Sequence, residues 1–276
     1  MSARDGLLAG LTVVARSLAD LDSPAPRSLR RNAQPIVLLQ GFAASSLVML
    51  PLEEHLVRTL GRPVVRVRLG GAIAAQLGDI RASAERVAET LRRLARIPGF
   101  RYADVVGHSM GGLVATYTLK RLDPERRIRR VITLGTPHRG TPIALAGALV
   151  LGAFSRAIWQ MLPGSSFLRE LEALPVPSGS ELIAVSAEAD AVVPRTFARV
   201  APDLRHRNAT LAEVDHLGFL HHPDSHAFVG TALASADSLS LVANPRRAAA
   251  RGRTPVESRR DFARRIERRR ASAREP

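Results

Sequence analysis

The 276-residue sequence predicts an α/β protein built on a mostly parallel sheet with helices on both faces. Three observations carry this expectation. Short β-prone apolar runs alternate with stretches of helical periodicity between residues 36 and 134. A glycine-rich turn, Gly107-His108-Ser109-Met110-Gly111-Gly112, joins one such run directly to one such helix. The chain is also long enough for one domain of about 200 residues with short extensions. An alternating order of this kind demands parallel strands joined by right-handed helical crossovers.

In order, residues 6–21 are mildly amphipathic and residues 24–34 read as a linker, so 1–34 forms an N-terminal helix and linker. The domain proper spans 35–242. It opens with a strand at 36–39, a helix around 46–60, a strand at 64–69 and a helix at 79–96. A strand at 102–106, a helix at 111–122 and a strand at 128–134 follow. Between about 141 and 176 the alternation breaks. The insertion is rich in Leu, Ile, Val and Phe and carries Trp159, which reads as a helical cap, either a mobile lid over a cleft or a rigid pair of helices completing the core. Gly152 and Pro163 break it into pieces too short for a membrane span. A buried strand at 181–186, a loop at 187–194, a strand at 209–214 and a last helix beyond His221 complete the domain. No internal repeat is evident.

The turn at 107–112 explains its own residue types. A serine at a sharp strand-to-helix turn is held in strained backbone geometry, and flanking glycines leave room where a Cβ would strike the neighbouring strand or helix. Ser109 then projects into a cleft above the sheet as a nucleophile. The Met110 N–H, at the helix N-terminus, is placed to donate to the oxyanion formed when Ser109 attacks a carbonyl.

Three segments together carry a resemblance: Ile36-Val37-Leu38-Leu39-Gln40-Gly41-Phe42, the Ser109 turn, and Thr133-Leu134-Gly135-Thr136-Pro137-His138-Arg139-Gly140-Thr141. They resemble the bacterial lipase and esterase branch of the α/β-hydrolase family over roughly residues 35–230. The resemblance implies the α/β-hydrolase fold with a cap insertion, in a compact version without two additional leading strands. It implies a second oxyanion donor at the N–H of Phe42, with Gln40 standing where the family usually has His. It also implies the chain order Ser, then Asp or Glu, then His. On that order Asp190, in Asp190-Ala191-Val192-Val193-Pro194, is the acid, with Glu188 as runner-up. His216, just beyond the last strand and before Leu217-Gly218, is the base. Asp215 adjoins His216 and is not taken as the acid, while His221, His222 and His226 read as surface or capping residues. Gln40, His108, His138 and Trp159 are expected to contact substrate or shape the cleft.

No cofactor and no metal are expected: the chain has no cysteine and no His-Glu-x-x-His helix. The formal charge of +15 is concentrated in arginine, Lys120 being the one lysine, and residues 243–276 carry twelve Arg against four acidic residues. That Arg-rich tail reads as disordered or marginally helical, a solvating appendage or a peripheral contact with anionic membrane. Without aromatic interleaving or a nucleic-acid fold signature, specific nucleic-acid binding is not expected. Residues 7–15 lack a clear cleavage site, so the expected location is cytoplasmic or peripherally membrane-associated, with secretion as the alternative. The expected activity is serine carboxylic-ester hydrolysis of lipid or acyl esters. Acyl transfer or amide hydrolysis by the same triad is the alternative, and non-catalytic binding a more distant one.

Overall fold

The computed structural model describes residues 34–69, 78–151, 155–201 and 205–235. The expectations for the N-terminal helix, the linker before residue 34 and the arginine-rich tail lie outside these residues. Among these residues six strands form one parallel sheet: β1 (Ile36–Leu39), β2 (Val64–Arg66), β3 (Ala103–His108), β4 (Ile128–Leu134), β5 (Glu181–Ala187) and β6 (His206–Leu211), in the order β2-β1-β3-β4-β5-β6. The strand order reverses beside β1 and β3, the place where an open α/β sheet splits to leave a crevice at the carboxyl ends of its strands.

Alternate residues of each strand feed two separate cores. Val37, Leu39, Val105, Val131 and Leu182 pack on one face against α2 (Ile80–Ala95), α3 (Met110–Tyr117), α5 (Arg156–Gln160) and α6 (Ser166–Ala173). Ile36, Leu38, Val106, Ile132 and Val185 pack on the other against α1 (Leu50–Leu60), Phe219 and α8 (Pro223–Ala234). Because the four inner strands are covered on both sides, they are continuous apolar runs rather than alternating ones. The described residues also form two short α-helices, α4 (Ile143–Leu151) and α7 (Arg195–Ala198).

Several boundaries differ from the sequence expectation: the strand expected at 102–106 runs from Ala103 to His108, and the helix expected at 111–122 is α-helical over Met110–Tyr117 and closes in a π turn, Thr118–Leu122. The helix around 46–60 begins as a 3₁₀ turn, Ser46–Met49, and becomes α-helical at Leu50 with Pro51 in its first turn. The strand expected over 64–69 stops at Arg66, where its pairing with β1 ends at Leu38. The last strand lies at 206–211 rather than 209–214, paired from Leu182↔His206 to Ala187↔Leu211. As an edge strand it has half-exposed polar residues, His206, Arg207 and Asn208, which do not look like a strand in sequence.

Candidate active site

Ser109 sits between β3 and α3 with φ 52° and ψ −126°, a conformation that costs an L-residue about 1–3 kcal/mol. The strain is held from several sides. Ser109 N–H donates to the Leu134 carbonyl (2.8 Å), and the Ser109 carbonyl accepts from Gly112 N–H (3.0 Å) and from the Thr136 hydroxyl (2.9 Å). The glycines are required by close approach: a Cβ on Gly107 would lie 2.5 Å from the Gly111 carbonyl oxygen, one on Gly111 would strike the Gln40 carbonyl, and one on Gly112 the Thr136 hydroxyl. Thr136, which sequence reasoning quoted only as part of a motif, is thus a support of the turn.

Asp190 lies in the loop after β5, its side chain fully buried. Its Oδ1 accepts from the N–H groups of Val192 (2.9 Å) and Val193 (2.8 Å), which leaves Oδ2 facing His216 Nδ1 at 2.8 Å. His216 follows β6 in a turn closed by Gly218 N–H donating to Asp215 Oδ1 (2.6 Å). With Nδ1–H donating to the carboxylate, His216 turns a bare Nε2 toward the Ser109 hydroxyl, 3.1 Å away. The carboxyl ends of β3, β5 and β6 therefore bring Ser109, Asp190 and His216 into one hydrogen-bonded line. Glu188 is elsewhere, exposed and 4.0 Å from Arg195, and Asp215 is engaged by Gly218.

Met110 is the first residue of α3, so its N–H has no intrahelical acceptor. The chain entering Phe42 runs directly against the turn: a Cβ on Gly41 would be 3.1 Å from Ser109 Cβ. Phe42 itself packs half-buried on the core.

The residues expected to contact substrate are placed differently. Gln40 and His108 are buried, at 0% and 4% exposure, so neither presents open surface to a ligand. His138 is hydrogen-bonded through Nε2 to the Thr133 hydroxyl (2.9 Å) and lines a small pocket with Thr116, Lys120 and His206 that holds none of the three aligned residues. Trp159 stands 53% exposed on α5. Burial first, then the positive charge of Lys120, pushes His138 down to about 3, and burial with the neighbouring His216 does the same to His108. His222 caps α8 by accepting from Asp224 N–H (3.2 Å). His226 is buried in that helix and donates to the Leu220 carbonyl (2.9 Å) rather than standing on the surface. Among the described residues no group of three or more His, Cys, Asp or Glu could hold a metal ion, and no helix is long and apolar enough to cross a membrane.

This architecture is the α/β-hydrolase fold. A PGAP1-like alpha/beta domain model matches residues 85–163. The structure is similar to Aspergillus fumigatus lipase B, with TM-score 0.64 and 19% identity over 79% of this chain and 58% of that one. It is similar to Bacillus licheniformis lipase BlEst2 in its mature form, with TM-score 0.60 and 18% identity over 77% and 94% of the two chains. It is also similar to Paleococcus ferrophilus monoacylglycerol lipase, with TM-score 0.51 and 15% identity over 77% and 96%. The chain thus spans little more than half of the fungal lipase and nearly all of the other two. No curated protein matches it by sequence.

Proposed function

We propose that the protein is a serine hydrolase of carboxylic esters, acting on acyl or lipid esters through Ser109, His216 and Asp190. The observation that supports this most is the hydrogen-bonded line from Ser109 Oγ to His216 Nε2 (3.1 Å) and from His216 Nδ1 to Asp190 (2.8 Å), ending on a serine held at positive φ. Nothing in the packing of a strand-to-helix turn requires all three side chains together.

In this reading His216 Nε2 takes the proton of Ser109 as Oγ attacks the ester carbonyl, and Asp190 holds the imidazole in the tautomer that can accept it. The backbone N–H groups of Met110 and Phe42 receive the oxyanion, each worth about 3 kcal/mol in the transition state. The protonated His216 then gives its proton to the departing alcohol. Water, activated by the same base, releases the acyl group from Ser109. The acyl moiety is assigned to the apolar side chains of the insertion, and the named lipases of the same fold support an acyl ester over other carbonyl substrates.

The test is hydrolysis of p-nitrophenyl esters of increasing acyl length by the full chain and by Ser109→Ala. The expected result is turnover by the native protein and its loss in the variant at every length. Retained turnover in folded Ser109→Ala removes the reading.

A further inference from the structure

His108 precedes the nucleophile and ends β3, and its ring lies on the sheet face opposite α3, 4.8 Å from the ring of His216 and 6.4 Å from that of Phe219 between centroids. Its Nε2 is 2.9 Å from the main-chain carbonyl oxygen of His216. A carbonyl can only accept, so His108 carries its proton on Nε2 and leaves Nδ1 bare. Among the described residues that buried Nδ1 has no hydrogen-bond partner, and it lies against Gly41, where a Cβ would come within 3.2 Å of it.

Two consecutive residues of one strand end thereby address the same residue. Ser109 meets the His216 imidazole, and His108 holds the His216 backbone. The base otherwise sits in a turn outside the sheet ladder, closed by Asp215 and Gly218.

We propose that His108 is a positioning residue: its Nε2–H···O=C bond ties the turn carrying the base to the strand carrying the nucleophile and sets the Ser109–His216 distance. This rests on the reading of Ser109 and His216 as nucleophile and base. Burial, and repulsion by a protonated His216, keep His108 neutral down to about pH 3, so no second positive charge stands beside the imidazolium formed during attack. Gln at position 108 can offer an amide N–H to the same carbonyl, while Leu fills similar space and offers none.

The experiment compares His108→Leu and His108→Gln in the full chain on a short acyl ester, with circular dichroism confirming the fold. Loss of the tie should lower kcat by about 10²-fold in His108→Leu with KM nearly unchanged. His108→Gln should recover most of that loss, and the rate of fluorophosphonate labelling of Ser109 should follow kcat. Native kinetics in His108→Leu, a raised KM with unchanged kcat, or failure of Gln to rescue in a folded protein overturns the proposal. Should Leu prevent folding, ¹⁵N NMR of the native protein decides: His108 should show the Nε2–H tautomer unchanged across neutral pH, and the other tautomer or a titration near pH 6.5 overturns it. That spectrum does not depend on turnover, whereas the ester-hydrolysis reading fails on Ser109→Ala alone, so the two failures are distinguishable.

Discussion

The strand ends and the insertion between β4 and β5 are built on opposite principles. At the strand ends, side chains with chemical roles hang on backbone already committed to a parallel ladder. Ser109, one residue beyond β3, and Asp190, three beyond β5, are fixed by main-chain N–H and C=O groups. The insertion has no ladder and is held by side chains. It divides accordingly. Ala157, Ile158, Phe167, Leu168 and Leu171, from α5 and α6, are part of the core. Gln160 reaches α2, accepting from Ile80 N–H and donating to Asp79, both at 2.8 Å. In α4, by contrast, Ile143 and Leu145 are 52% and 59% exposed. The α5–α6 pair is therefore packed into the core, whereas α4 buries Ala144 there and leaves Ile143 and Leu145 exposed.

The largest effects that can break this comparison are catalytic. Ser109→Ala or His216→Ala should reduce kcat by about 10⁶-fold, and Asp190→Asn by about 10⁴-fold, at near-native thermal stability. A strand-end substitution that unfolds the protein instead would erase the distinction between chemistry and scaffold. Next, Phe167→Ala should destabilise by about 3–5 kcal/mol in urea unfolding, since α6 is core; a neutral result would return α6 to a lid. Gln160→Ala should cost about 1–3 kcal/mol, because it leaves the Asp79–Ile80 end of α2 without its buried partner.

The buried histidines on which mild acid should act all lie outside residues 141–176, which contain no histidine. The folded-state value of His108 lies at about 3, below its ordinary 6.5, so the unfolded chain binds more protons between these values. His138, also at about 3, behaves the same way, so stability is complete above pH 6.5 and falls by about 1.4 kcal/mol per pH unit for each of the two histidines below it, which melting temperatures from pH 7 to pH 4 measure. The smallest effect belongs to α4: Leu145→Ser should change stability by less than about 0.5 kcal/mol while raising KM for long-chain more than short-chain esters.

How much of this was legible in sequence follows the same division. The inner strands were readable because burial on both faces makes each a continuous apolar run. The edge strand β6 was misplaced by three residues because His206-Arg207-Asn208 needs no apolar character at an edge. Ser109 was nominated by a strand-turn-helix motif, and Asp190 and His216 by the chain order and strand-end positions that the family resemblance implies. The sequence offers no such local signal for what depends on distant contact. His108 looked like a cleft residue, yet its partner is the backbone of His216, and His138 folds onto Thr133 rather than over Ser109. In the insertion, residues 141–154 carry no charged side chain and residues 155–176 carry two Arg and two Glu, yet it is the second, more polar half whose helices pack into the core, which composition does not foretell.

The most direct measurement of the central claim is fluorophosphonate labelling of the native chain and of Ser109→Ala, with the adduct located by mass spectrometry. The account predicts a single adduct on the peptide containing Ser109, absent in the variant. A folded native protein that takes no label, or an adduct that persists in Ser109→Ala, contradicts it.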